Sequence, residues 1–175
     1  KYLTHKSKSL RAWVPSSIHK TDQVYEVIEH DIDYVPDENV YVCGVVNIPY
    51  QNLKSLGVNI LYCEELDCAN NQLTKLPDLP VCEYLSCRGN QLTSLPELPV
   101  CEVLFCWNNQ LISLPNLPVC ERLYCWNNKL ESLPDLPICR ELRCWNNKLT
   151  KLPDLPVCKV LKCVNNPGYP FKSNE

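Results

Sequence analysis

From Cys43 onward, the apolar residues follow neither the period of a helix nor the plain alternation of a single strand. They recur in a fixed block of 19 residues. One block reads Cys101-Glu-Val-Leu104-Phe-Cys106-Trp-Asn-Asn109-Gln-Leu111-Ile-Ser-Leu114-Pro-Asn-Leu117-Pro-Val119, with apolar side chains at positions 1, 4, 6, 11, 14, 17 and 19. The block starts again at Cys63, Cys82, Cys120, Cys139 and Cys158, and an imperfect copy (Cys43, Val46, Ile48, Gln51, Leu53, Leu56) precedes them. Strand side chains alternate, so inward positions 4 and 6 with outward 3, 5 and 7 predict one short strand at positions 3 to 5 of each block. A strand repeated at constant period predicts stacked coils whose strands form a parallel sheet at ~4.8 Å spacing.

The block matches the pattern L-x-x-L-x-L-x-x-N-x-L of leucine-rich repeats, with cysteine in place of leucine at positions 1 and 6. The fold class expected is therefore a leucine-rich-repeat solenoid, mostly β, with an irregular, polyproline-like convex side and little helix in the repeats. The closing Leu-Pro-x-Leu-Pro and the short unit resemble the repeats of bacterial type III effectors. The Cys-x-x-Leu-x-Cys-x-Asn-Asn form resembles leucine-rich-repeat proteins of giant DNA viruses. The resemblance implies a recognition module. The chain departs from the effector pattern through its cysteines and lacks the large ubiquitin-ligase domain some effectors carry, so ligase activity is not implied.

Thirteen cysteines invite a disulfide or zinc reading. The spacing favours a third: cysteine as a small hydrophobe that lets the walls of a narrow coil approach. Like cysteines in adjacent coils would have parallel Cβ vectors, leaving Cβ atoms ~5 Å apart, beyond the preferred disulfide range. Positions 1 and 6 flank the leucine at 4, which disfavours four thiolates converging on zinc. Buried thiols point to an intracellular compartment. Position 9 is Asn71, Asn90, Asn109, Asn128, Asn147 and Asn166, expected to turn inward and bond the backbone of its own and neighbouring coils. Position 8 is asparagine or, at Gly89, glycine, as a left-handed turn requires. Val or Ile at position 19 is expected to fill the interior with the leucines.

Residues 1–42 lack the repeat and are read as an N-terminal cap region, 43–166 as the repeats, and 167–175 as a C-terminal cap and tail. Within the first segment, Val24, Val27, Ile28 and Ile32 share a helical face with Thr21 as N-cap, and Val40 to Ile48 reads as strand. The basic start (Lys1, His5, Lys6, Lys8, Arg11) is weak evidence for a nucleic-acid or lipid tether. Phe171 falls at position 14 of the last coil and is expected to close it; 172–175 is expected to fray. A net charge of −3 gives no general attraction to nucleic acid or anionic membranes. No apolar stretch is long enough to span a bilayer and no secretory leader is legible. A chain without Met that starts at Lys1 leaves room for trimming.

Function is expected on the outward strand positions, the concave face of such scaffolds. Position 7 reads Ala69, Arg88, Trp107, Trp126, Trp145, Val164, and position 5 reads Asp67, Ser86, Phe105, Tyr124, Arg143, Lys162. The candidate partner-binding residues are Trp107, Trp126, Trp145, Phe105 and Tyr124, with Arg122 and Arg143 beside them. Glu64, Glu65, Asp67, Glu83 and Glu102 flank this centre on one side, and Arg140, Arg143, Lys159 and Lys162 on the other, with Glu121 and Glu141 interrupting. An aromatic core with a charged rim is what an interface presents. A ladder that merely stabilises itself is the competing reading. The sequence offers no catalytic, metal or cofactor site: its histidines (His5, His19, His30) all precede the repeats, and no phosphate-cradling glycine motif occurs. The expected function is an intracellular protein-binding module, with a viral or bacterial factor acting on host proteins as one form of it. A self-associating structural component of a particle or virion, and a glycan or small-ligand receptor, are the alternatives.

Overall fold

The computed structural model describes residues 40–56 and 59–171. The helix expected at 21–32, the basic start, the histidines and the tail from 172 lie outside them. Seven strands follow in chain order: β1 (Val40–Asn47), β2 (Asn59–Asp67), β3 (Tyr84–Ser86), β4 (Val103–Phe105), β5 (Arg122–Tyr124), β6 (Glu141–Arg143) and β7 (Val160–Lys162). They form one parallel sheet in sequence order. From β2 onward each residue pairs with its counterpart one repeat later, as in Leu85↔Leu104 and Leu104↔Leu123. The described residues contain no helix.

Strands β3 to β7 occupy positions 3 to 5, as the alternation predicts, and β1 agrees with the strand read from Val40. It crosses the boundary drawn after residue 42. The first two strands are longer, and proline explains the difference. In the coils from Cys82 onward, proline at position 18 is the second residue of a β-turn closed by Cys101 N–H donating to Leu98 O (3.4 Å), with equivalents at Cys120, Cys139 and Cys158. Proline suits the second residue of such a turn and has no N–H for a ladder. The stretch 53–62 contains no proline, and there the strand runs on.

The same turn corrects one sequence expectation. Position 19 is the third residue of the turn, so its side chain points outward: Val100, Ile138 and Val157 are exposed and do not fill the interior. The core consists of leucines at positions 4, 11 and 17 and cysteines at 1 and 6, nearly all at 0–1% exposure, with the position-14 leucines and Phe171 packed half-buried against them. The position-1 thiol also donates to the carbonyl two residues on, as in Cys101 Sγ to Val103 O at 3.4 Å and Cys82 Sγ to Tyr84 O at 3.3 Å. Cysteine thus supplies a small apolar volume and a weak donor to the start of each strand.

Two asparagine columns join the coils. At position 9, Asn109 Nδ2 donates to Cys87 O (3.0 Å) in the preceding coil and Cys106 O (3.1 Å) in its own, while its Oδ1 accepts from Leu92 N–H (3.0 Å). The arrangement repeats from Asn90 to Asn166. At position 8 the backbone is left-handed in every regular coil, from Asn70 (φ 53°) to Asn165 (φ 55°), and also at Tyr50 (φ 58°) in the imperfect one. The exposed Asn108, Asn127, Asn146 and Asn165 amides form a ladder, such as Asn127 Nδ2 to Asn108 Oδ1 at 2.7 Å.

Gly89 interrupts that ladder with φ +66°, and a Cβ there would collide with the Asn70 side-chain oxygen. Gly89→Val is expected to destabilise the chain by about 1–2 kcal/mol, the cost of a left-handed residue with a branched Cβ. Gly89→Asn is expected to cost less, because asparagine tolerates this backbone and Asn70 can rotate into the extended ladder. Urea midpoints for the two variants check the order.

Candidate partner-binding face

The outward side chains of positions 5 and 7 form two aromatic columns along the sheet. A spacing of one strand between identical positions brings flat rings into van der Waals contact. Trp107 stacks on Trp126 at 4.3 Å with rings 13° apart, and Trp126 on Trp145 at 4.3 Å and 9°. In the neighbouring column Phe105 stacks on Tyr124 at 4.6 Å and 21°. Tilted contacts tie the columns together: Phe105 to Trp107 at 5.5 Å and Tyr124 to Trp126 at 5.7 Å. All five rings are half-buried. The three tryptophans, Phe105 and Tyr124 are therefore one continuous surface.

Arginines close this surface at opposite ends. Arg143 sits over the Tyr124 ring at 4.5 Å and bonds Glu141, Nε to Oε1 at 2.7 Å. Burial raises the Tyr124 hydroxyl pKa first, and its hydrogen bond to Glu141 raises it further. For Glu141, burial acts upward but is outweighed by hydrogen bonds from Tyr124 and Arg143, so its carboxyl lies below the usual range. At neutral pH the cluster is a phenol, a carboxylate and a guanidinium locked together. Arg88 lies over Trp107 at 5.3 Å, bonds the Ser86 hydroxyl and pairs with Asp67 at 3.6 Å. The Arg122 side chain is exposed beside Tyr124 and Glu141 and makes neither a hydrogen bond nor an ion pair among the described residues.

Sequence reasoning grouped the seven candidate residues but left out Arg88, Glu141 and Tyr84, whose ring meets Phe105 edge-on at 5.4 Å. A signal existed. Arg88 is one repeat before Trp107 at position 7, and Glu141 is one repeat after Arg122 at position 3, so stacking alone places them at the patch. The outward expectation fails for Ser86, which is fully buried and receives a hydrogen bond from the Arg88 side chain.

The thiols lie on the other side of the sheet from these rings. Burial pushes Cys139 up to about 11, and Cys101 and Cys144 up to about 12. The thiolate is the nucleophile and metal ligand, and these sites suppress it. Among the described residues no group of three or more His, Cys, Asp or Glu is placed to hold a metal ion. No helix of the described residues is long and apolar enough to cross a membrane.

Stacked 19-residue coils, a parallel strand per coil and an inward asparagine after each strand define a leucine-rich-repeat solenoid. Two solved structures similar to it are of Yersinia proteins. YopM from Yersinia enterocolitica WA-314 aligns at 36% identity and a TM-score of 0.66 over 70% of this chain. YopM of Yersinia pestis, described as a leucine-rich effector protein, aligns at 33% identity and a TM-score of 0.54 over 64%. The chain spans 29% and 40% of those two proteins' lengths. No protein-family model matches the chain, and no curated protein does.

Proposed function

We propose that the chain is a non-catalytic protein-recognition module that works inside a cell and binds its partner through the sheet face centred on Trp107, Trp126 and Trp145. Phe105, Tyr124, Arg122 and Arg143 complete the surface. The observation that carries this reading is the continuous half-exposed aromatic surface with an arginine stacked at each end. Aromatic residues and arginine supply most of the energy at protein interfaces, surrounded by a polar rim. The similarity to leucine-rich effector structures favours a bacterial factor acting on host proteins, and the Cys-x-x-Leu-x-Cys-x-Asn-Asn form keeps a viral one as the other possibility. The many buried thiols favour a reducing compartment. In this reading residues 1–42 cap the repeats of 43–166 at one end and 167–175 cap them at the other.

Self-stabilisation accounts for part of the ladder: each ring pair contributes ~0.5–1.5 kcal/mol. It does not account for the exposed side chain of Arg122, which favours the Glu141 carboxylate only through space and forms no ion pair or side-chain hydrogen bond among the described residues. The test is Trp107→Ala with Trp126→Ala in affinity capture from host lysate, alongside a circular-dichroism check of the fold. The folded variant is expected to lose the partners that the parent chain retains. Undiminished capture by the folded variant would remove the patch as the site.

A further inference from the structure

The indole column is closed at one end and open at the other. Arg88 covers the first ring, Trp107, at 5.3 Å. The last ring, Trp145, stacks on Trp126, and no other ring or cation among the described residues lies against it. The next residue in the column is Val164, 47% exposed, whose short side chain spans less than an indole face. No ring in the last coil continues the stack beyond Trp145, and Val164 and Lys162 are exposed there.

The charge around this end of the column is one-sided. Lys159 and Lys162 form no ion pair among the described residues, and positions 2, 3, 5 and 7 of their coil hold no acid. The nearest acids on that side are already engaged: Glu141 with Arg143 at 2.6 Å, and Glu121 with Arg140 at 3.5 Å. A cation placed on Trp145, as Arg88 is on Trp107, would face two unpaired ammonium groups. A neutral ring with carboxylates beside it would meet a bare indole face and complementary charge.

Resting on the recognition reading above, we infer that the partner is a peptide segment that places an aromatic side chain on the outer face of Trp145 and acidic residues against Lys159 and Lys162. Coulomb attraction across the rim sets its orientation along the sheet: the acidic stretch lies over the last coil, away from Glu83 and Glu102. A sugar would use the indole face but gain nothing from the lysines.

The test follows the indole Nε1–H signals of the full chain by NMR during titration with short blocked peptides at low salt. The probes are phenylalanine between aspartates, phenylalanine between lysines, leucine between aspartates, and a neutral oligosaccharide. The aspartate–phenylalanine peptide is expected to move the Trp145 signal and leave Trp107 in place. Its binding is expected to be about tenfold tighter than that of the lysine peptide, from two exposed charge pairs whose sign is reversed. Lys159→Glu with Lys162→Glu, both exposed, is expected to invert that preference. Equal or tighter binding of the lysine peptide, no loss with leucine, a Trp145 shift with the oligosaccharide alone, or no shift at millimolar peptide would each overturn the inference. Such a result with partner capture still lost in Trp107→Ala/Trp126→Ala rejects this partner chemistry and keeps the face. Peptide binding as expected, with capture indifferent to those variants, instead rejects the face as the cellular docking site.

Discussion

Raised above pH 9, the chain is expected to unfold cooperatively within about one to one and a half pH units, far more steeply than an ordinary domain of its size. Burial raises the pKa of Cys68, Cys87, Cys101, Cys106, Cys120, Cys125, Cys139 and Cys144 above the ordinary thiol value of 9.0. In the unfolded chain these thiols titrate near that value; in the folded chain burial keeps them protonated to higher pH, to about 11 for Cys139. The stability they contribute is therefore complete below pH 9 and is lost as pH rises towards the folded-state values. Each thiol removes ~1.4 kcal/mol per pH unit in that window, so eight remove about 11 kcal/mol per unit. A typical domain has only ~5–15 kcal/mol in total. Far-ultraviolet circular dichroism and thiolate absorbance, followed together under reducing conditions, should change in one step. Thiolate absorbance that grows gradually while the fold survives at pH 11 would mean the cysteines are not in the core.

Asn109→Ala is expected to destabilise the chain by about 3–5 kcal/mol. The substitution leaves the Leu92 N–H without an acceptor, which costs ~1–3 kcal/mol for a buried donor. Two further bonds, to Cys87 O and Cys106 O, are lost at ~1 kcal/mol each. Those two carbonyls keep second partners in Asn90 and Asn128, which is why the loss is not larger. Asn109→Asp is expected to be at least as damaging at neutral pH. Its carboxylate still accepts from Leu92 but turns an oxygen towards two carbonyls that need donors. Part of that loss should return as the carboxyl protonates in mild acid. Asn127→Ala, on the exposed ladder, is expected to cost under ~1 kcal/mol apart from backbone strain, because water replaces the lost bonds. Urea midpoints at neutral and acid pH separate the three variants. Equal costs at 109 and 127 would show that the inward asparagine is not what joins the coils.

The parts of this structure legible in the sequence are those where one residue type answers one local demand. Asparagine or glycine at position 8 marks a left-handed turn, and the alternation of 3 to 7 sets the strand. Leu104 and Cys106 point inward because Phe105 and Trp107 point out. What was not legible depended on turn geometry or on neighbours a full repeat away. Val100 looks like core by its apolarity, yet the Leu98–Cys101 turn directs it to solvent. Ser86 looks exposed by its parity, yet the Arg88 side chain buries it. At the candidate site, the tryptophan stack followed from the period alone. The locked Tyr124–Glu141–Arg143 cluster needed side-chain directions that no spacing rule supplies.

The central claim is that the partner sits on the strand face, and site-specific photocrosslinking tests it most directly. A photoreactive side chain placed at exposed Arg122, beside the aromatic columns, is compared with one at exposed Glu131, outside the strands. The account predicts that a protein captured from host lysate is crosslinked from position 122 and not from position 131. Crosslinking from 131 alone would contradict it, and would leave the tryptophan ladder as a stabilising feature of the fold.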